Sequence, residues 1–173
     1  MRYEARPLEY AHLKEGVAYG IFRATDEGKG ATPVFVVAPS AALLRRGIRG
    51  QLGLYAGEDF VSNTNLGQYE GKVLGSYASP AEAARSEEAQ REEDRGNGMM
   101  LVRKTRVGRY ELVDGTCSPP PYFSLCNDPR GTRLEANVRP TEFGGLYTTR
   151  RVPAFSSESS LHSNAASELL WDY

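Results

Sequence analysis

The chain has 173 residues, of which 40% are hydrophobic and 25% charged, and this composition is typical of one soluble globular domain. Because 21 basic residues are balanced by 22 acidic ones, for a net charge of −1, the sequence argues against direct nucleic-acid binding through a broad positive surface. No apolar stretch resembles a signal peptide or a membrane span, so we expect a soluble, intracellular protein without a membrane partner. Ten tyrosines, 18 glycines and 10 prolines favour short strands and turns over a helical bundle.

The first third of the chain predicts strands. Residues 1–33 mix charges with aromatics, and V-A-Y-G-I-F at 17–22 predicts a strand, so we interpret this region as N-terminal strands that flank the main domain. The run V-F-V-V at 34–37 lies between Pro33 and Pro39, and these prolines indicate a strand with defined ends.

Glycine punctuates the strands that follow. Residues 50–60 predict a tight turn that leads into a strand, and residues 66–74 predict another strand interrupted by glycine. Apolar runs on either side of a glycine turn predict a hairpin from 99–102 and 110–113. Two more short strands are predicted at 137–138 and 145–149.

A single helix is predicted at residues 79–95. Ser79 is a suitable N-cap, Pro80 suits the first helical position, and Glu82 can complete a capping box. The apolar face consists mainly of alanines, so we expect most of the helix surface to be solvated. Residues 155–166 are rich in serine and predict a surface loop.

The cysteines and histidines give no metal or hydrolase pattern. Cys117 and Cys126 have neither C-x-x-C spacing nor a neighbouring histidine, so we expect no metal site; buried thiols are the favoured state, and a disulfide stays open. His12 and His162 lie in polar surroundings without triad partners, so we interpret both as surface residues.

The chain ends in an apolar, aromatic segment, S-E-L-L-W-D-Y at residues 167–173, which we call the terminal segment. A flexible tail is usually polar and poor in aromatics. The composition therefore indicates that this segment is buried.

Six stretches, in order, resemble the motifs of SET-domain protein lysine methyltransferases of the minimal, stand-alone type without zinc-binding flanks. They are G-Q-L-G-L-Y-A-G-E-D-F at 50–60, Q-Y-E-G-K-V at 68–73, Y-E-L-V-D-G-T at 110–116, S-L-C-N-D-P at 124–129, L-Y-T-T-R-R-V-P-A at 146–154 and the terminal segment. The resemblance implies a mainly β SET domain at 34–173, with small curved sheets, an inserted helix at 79–95, and a C-terminus threaded beneath the Asn127 stretch as in a pseudoknot.

The resemblance also implies S-adenosylmethionine as cofactor. The residues expected to bind it are Gln51, Leu52, Gly53, Ser124, Asn127, Asp128 and Tyr173. Asn127 matches an asparagine that contacts the cofactor and braces the threaded segment, although it could also be a simple turn residue. The chain departs from the pattern at Gln51, where the family has glycine, and at Asp128, where it has histidine.

The expected catalytic residues are Tyr173, whose hydroxyl would lie near the reacting atoms, and Tyr69. The expected lysine channel consists of Tyr69, Tyr122, Leu125 and Trp171. The four aromatic residues each have an alternative: Tyr173 could be an aromatic plug, Tyr69 could pack between strands, and Tyr122 and Trp171 could belong to the core.

The function implied is methylation of a lysine on a protein, with a histone tail as the expected substrate and the nucleus as the location that such a substrate requires. Two alternatives are open: an enzyme acting on a non-histone protein, and a catalytically silent SET-like binding module. A homodimer, in which a second subunit completes the channel after Tyr173, also stays open. Carboxylates of the helix could meet a basic peptide.

Overall fold

The computed structural model describes residues 3–8, 18–23, 31–93, 100–115 and 122–171. The chain forms two compact units. Unit 1 comprises Met1–Thr64, Cys126–Arg139 and Thr148–Tyr173, and unit 2 comprises Asn65–Leu125 and Pro140–Tyr147. Distant stretches of sequence therefore meet inside each unit.

Unit 1 contains a four-stranded antiparallel sheet with the strands in chain order. The strands are β1 (Tyr3–Leu8), β2 (Ala18–Arg23), β3 (Phe35–Pro39) and β4 (Leu52–Ala56), with the short helix α1 (Ala41–Arg45) between β3 and β4. Every residue of β3 is buried, as expected for the continuous apolar run between two prolines. Ser40 caps α1, because its Oγ accepts a hydrogen bond from the backbone N–H of Leu43 at 3.0 Å.

The remaining strands form two three-stranded sheets. The strands are β5 (Asn65–Gln68), β6 (Lys72–Tyr77), β7 (Met100–Lys104), β8 (Tyr110–Asp114), β9 (Val138–Pro140) and β10 (Gly145–Thr148), in the orders β5-β10-β9 and β6-β8-β7. The predicted hairpin is β7–β8 and is confirmed. The single strand predicted at 66–74 is wrong, since β5 and β6 belong to different sheets. Gly71 separates them, and a Cβ there would clash with the carbonyl of Asp114.

The predicted helix is confirmed as α2 (Pro80–Glu93) in unit 2. Ser79 Oγ accepts from the N–H of Glu82 at 3.2 Å, and the Glu82 carboxylate accepts from the N–H of Ala78 at 3.1 Å. The first bond satisfies an N–H group that the first helical turn leaves open, and the second holds the residue before the cap. In the described ranges, neither α2 nor any other helix combines the length and the apolarity needed to cross a bilayer.

The core of unit 1 includes part of the segment expected to be a surface loop. Val36, Ala38, Tyr55 and Phe155 form one buried cluster, and the rings of Tyr55 and Phe155 meet edge to face with centroids 5.2 Å apart. Asn164 is also buried. Its side-chain amide accepts a hydrogen bond from the backbone N–H of Ser156 and donates one to the Ser156 carbonyl. The surface-loop prediction for 155–166 is therefore wrong at these positions.

Candidate active site

The backbone of the terminal segment is hydrogen-bonded to the backbone of three separate stretches of unit 1. Glu168 forms an antiparallel bridge with Tyr55 of β4, and the N–H of Leu169 donates to the carbonyl of Leu54 at 2.7 Å. Leu170 and Trp171 form parallel bridges with Asn127 and Val138. The segment thus lies between the Asn127 stretch and the start of β9.

The described side chains of this segment, at 167–171, are buried as the sequence predicted. Leu169, Leu170 and Trp171 are 0%, 1% and 4% exposed. Trp171 therefore packs in unit 1, in agreement with the alternative that assigned it to the core. Tyr173, the expected catalytic tyrosine, lies outside the described residues.

Asn127 braces the terminal segment with both its backbone and its side chain. Its carbonyl accepts from the N–H of Trp171 at 3.0 Å. Its side-chain Nδ2 donates to the carbonyl of Leu52 at 2.9 Å and to Glu168 Oε1 at 3.3 Å. One amide therefore joins the start of β4 to the terminal segment, which is the bracing that the motif implied.

Asn137 is a second bracing residue that the sequence reasoning did not single out. Its Oδ1 accepts from the N–H of Leu170 at 2.8 Å, and its Nδ2 donates to the carbonyl of Glu168 at 2.8 Å. A side-chain amide can replace a missing strand partner because it donates and accepts at once. The asparagine at the first position of the predicted strand 137–138 was the available signal.

Glu168 is the second residue that the sequence reasoning missed. It is 0% exposed, and three donors converge on its carboxylate: Ser40 Oγ at 2.5 Å, the N–H of Ala42 at 2.8 Å, and Asn127 Nδ2 at 3.3 Å. Burial raises the pKa of this carboxyl, and the hydrogen bonds from these three groups oppose the increase. A carboxylate directly before the apolar run at 169–171 was the sequence signal for such a site.

The 51–53 stretch, the expected cofactor-binding turn, lies against this carboxylate. Gln51 and Leu52 have exposed side chains, whereas Gly53 is buried. A Cβ at Gly53 would lie 2.5 Å from Glu168 Oε1 and 3.2 Å from the Cα of Ser40. Glycine is therefore required at this position by the chain's own carboxylate.

Asp128 turns its carboxylate toward its own loop. The carboxylate accepts from the backbone N–H of Arg130 at 2.8 Å and pairs with the Arg130 guanidinium. Partial burial acts to raise the pKa of Asp128, but the hydrogen bonds from Arg130 outweigh it and lower the pKa. The side chain is thus held by an internal partner.

The other expected site residues lie in unit 2. Tyr69 is 0% exposed and Ser124 is 1% exposed, whereas Tyr122 and Leu125 are half-buried. A Cβ at Gly115 would clash with the Tyr69 hydroxyl and touch Ser124 Cβ, so Tyr69 and Ser124 meet at this glycine. Each unit therefore brings together a subset of the predicted residues: Gln51, Leu52, Gly53, Asn127, Asp128 and Trp171 in unit 1, and Tyr69, Tyr122, Ser124 and Leu125 in unit 2.

The acidic and sulfur-bearing side chains do not form a metal site within the part of the chain that the structure describes. Cys126 is fully buried, and burial raises its pKa, with the nearby Glu168 carboxylate acting in the same direction. Cys117 and His12 lie outside the described ranges, and His162 is exposed.

No protein-family profile matches the sequence, and no curated protein matches it. Among solved structures, the chain is similar to the methyltransferase domain of human PR domain-containing protein 2, with a TM-score of 0.50 and 17% identity over 88% of this chain and 95% of that one. It is also similar to CpSET8 from Cryptosporidium, with a TM-score of 0.42 and 18% identity over 70% of this chain. The chain spans about half of the CpSET8 structure, at 51%. The chain has a SET-like fold, mainly β with small open sheets, and the predicted fold class is confirmed.

Proposed function

We propose that this protein transfers a methyl group from S-adenosylmethionine to a lysine side chain of a protein substrate. The observation that carries the proposal is the pairing of the terminal segment with Asn127, through the 3.0 Å bond from the N–H of Trp171 and the bridge to Leu170. The motif resemblance assigns the cofactor and the reacting tyrosine to these two stretches. The SET-like fold supports the same assignment, although a shared fold does not by itself determine a function.

The expected cofactor-binding turn of unit 1 has two residues that a ligand can reach. Gln51 and Leu52 are exposed, and Asn127 bonds the Leu52 carbonyl directly. S-adenosylmethionine supplies an electrophilic methyl group on a positively charged sulfur. The 51–53 stretch and Asn127 would bind it, and Tyr173, which follows the bonded segment by two residues, would lie near the methyl group.

The lysine must reach the methyl group as a neutral amine, although its ordinary pKa is about 10.4. A narrow aromatic channel disfavours the ammonium form and therefore lowers that pKa. Tyr69, Tyr122 and Leu125 are the residues proposed for this channel, and Trp171 is left out because it packs in unit 1. The bound donor would supply its methyl group to the amine nitrogen and would leave as the neutral thioether, and the protein would contribute mainly by positioning the two groups.

A histone tail is the proposed substrate class, and a nuclear location follows from it. Exposed carboxylates one turn apart on α2, Glu88 and Glu92, offer a surface with the charge that a basic peptide requires. Peptide arrays of histone and non-histone sequences test this choice. Methylation confined to non-histone peptides would reject the histone tail as the substrate class, but it would support the proposed methyltransferase activity.

The general activity is tested by mass spectrometry of histones incubated with the protein and S-adenosylmethionine. We expect a mass increase of one or more methyl groups on a lysine. A mixture without the cofactor and a Tyr173→Phe variant are the controls. If histones and a broad peptide array both stay unmodified, the enzymatic proposal is wrong.

A silent SET-like binding module is the second candidate, and the 51–53 stretch is the reason to keep it. Gln51 stands where the family has glycine, and the Cβ position of Gly53 faces the protein's own Glu168. Calorimetry with S-adenosylmethionine separates the two candidates. The enzyme should release or absorb heat and gain thermal stability with ligand, whereas the silent module should do neither.

A further inference from the structure

Glu168 is connected to all three residues of the 51–53 stretch. Ser40 provides the first connection, because its backbone N–H donates to the Gln51 carbonyl at 2.9 Å while its Oγ donates to Glu168 Oε1 at 2.5 Å. Asn127 provides the second, because its Nδ2 donates both to the Leu52 carbonyl at 2.9 Å and to Glu168 Oε1 at 3.3 Å. Both carbonyls are thus held by groups that also bond this carboxylate.

Gly53 provides the third connection by direct contact. A Cβ at this position would lie 2.5 Å from Glu168 Oε1, so the backbone at Gly53 and the carboxylate occupy adjoining space with no room for a methyl group. Movement of either one requires movement of the other, because buried side chains are closely packed.

The burial of Glu168 defines what kind of role it can have. Its side chain is 0% exposed, so it cannot touch a bound ligand, while Gln51 and Leu52 remain exposed. Its three donors leave it acting as an acceptor only, which suits an ionised carboxylate. A glutamine at this position would turn its NH₂ group toward one of these donors, and the NH₂ group and that donor would then both lack an acceptor.

We infer that Glu168 is a positioning residue for the 51–53 stretch, which it holds in the conformation that binds the methyl donor. This inference rests on the proposed function, since it takes the 51–53 stretch as the cofactor-binding turn. Glu168 also joins the terminal segment to α1 through Ser40 and Ala42. The 51–53 stretch and the described part of the terminal segment therefore share one buried anchor.

The inference predicts that substitutions at the anchor weaken binding of S-adenosylmethionine in protein that is still folded. Glu168→Gln and Gly53→Ala should each raise the dissociation constant by roughly tenfold or more. Ser40→Ala, which removes one donor and leaves the carboxylate, should have a smaller effect of the same sign. Glu158→Gln is the matched control, since Glu158 is exposed, and it should bind as the wild type does.

A double-mutant cycle separates positioning from a general loss of stability. Gly53→Ala should be costly in the wild type, because the new methyl group displaces the carboxylate. In a Glu168→Ala background the same substitution should cost less, because the clashing oxygen is gone and only the 3.2 Å approach to the Cα of Ser40 remains. Additive effects on the dissociation constant would overturn the inference.

The experiment is isothermal titration of each variant with S-adenosylmethionine, at a temperature where circular dichroism shows it to be folded. Unchanged affinity in folded Glu168→Gln overturns the inference. If the wild type itself binds no S-adenosylmethionine, the proposed function fails, and hydrogen exchange then tests the positioning role. The positioning role predicts that the backbone amides of 51–53 exchange faster in Ser40→Ala and in Glu168→Gln than in the control Glu158→Gln. Equal exchange rates in the three variants would overturn the positioning role.

Discussion

The terminal segment in unit 1 and the helix α2 in unit 2 use polar groups in opposite ways. In unit 1, the side chains of Asn127, Asn137 and Glu168 are 5%, 3% and 0% exposed, and each has several hydrogen-bond partners. On α2, the Arg91–Glu87 pair is half-buried, with side chains 31% and 25% exposed. The two regions contain similar functional groups in very different surroundings.

The difference in burial determines how much each contact contributes. A buried polar group that loses its partner has no water to replace it, so the remaining partner carries an unpaired donor or acceptor. A partly exposed ion pair can exchange its partner for water at little cost. Within the described residues, every buried side-chain nitrogen or oxygen has a hydrogen-bond partner. Removing one of the buried side chains that bond the terminal segment should therefore leave its partner group unpaired.

The largest effect on stability is expected for Asn137→Ala. The substitution leaves the N–H of Leu170 and the carbonyl of Glu168 without their side-chain partners in a buried position. We expect a loss of about 3 kcal/mol in the free energy of unfolding, measured by urea denaturation. Asn65→Ala, at an exposed asparagine, is the control. A loss for Asn137→Ala no larger than that of the control would remove the contrast between buried and exposed amides.

A large effect on activity is expected for Tyr173→Phe. If its hydroxyl lies near the reacting atoms, turnover should fall roughly 100-fold while the affinity for S-adenosylmethionine changes little. Tyr69→Phe should have a smaller effect, because Tyr69 is packed at Gly115 in unit 2. Tyr19→Phe, at a tyrosine 38% exposed, is the control. Equal rates for the wild type and Tyr173→Phe would take Tyr173 out of the mechanism.

Much of the fold was predictable because its signals are local. Each signal lies within a few residues of the element that it predicts: the prolines lie at the two ends of β3, the capping residues begin α2, and a glycine turn joins β7 to β8. The split between β5 and β6 was not predictable in this way, since it depends on the close approach of Gly71 to Asp114. That contact joins residues far apart in the chain.

The candidate site was predictable only where a motif marks it. Asn127 and the terminal segment were recognised by resemblance, and both lie together in unit 1. Glu168 and Asn137 were missed, because a glutamate or an asparagine is usually exposed, and a position beside apolar residues does not by itself show that the side chain is buried. The Glu168 carboxylate bonds Ser40, which is 128 residues away in sequence. Burial of this kind follows from tertiary structure.

A smaller effect is expected from pH, and it depends on Glu168. Because burial raises its pKa above the ordinary value of 4.5, the folded protein holds this proton at pH values where the unfolded chain has released it. Stability should therefore decrease as the pH rises from about 4.5 through the folded pKa. The facing groups Tyr55 and Cys126 do not titrate in this pH range. Burial is the main cause that raises both of their pKa values, and the negative charge of Glu168 adds to it.

Thermal melts of the wild type and Glu168→Gln between pH 4 and pH 7 measure this dependence. The wild type should lose stability with rising pH relative to the variant, which cannot titrate at this position. Asp128 acts in the opposite sense, because its pKa is lowered, so its contribution is lost as the pH falls below 3.8. Parallel curves for the two proteins above pH 4.5 would mean that Glu168 has an ordinary pKa.

The smallest effect is expected for the Arg91–Glu87 pair on α2. Its side chains are four residues apart and partly exposed, with Arg91 Nη2 2.7 Å from Glu87 Oε1. A double-mutant cycle with Arg91→Ala and Glu87→Ala should give a coupling energy of about 0.5 kcal/mol, and added salt should reduce it. A coupling near 3 kcal/mol would contradict the contrast between the two regions. It would mean that this pair is as protected from water as the bonds of the terminal segment.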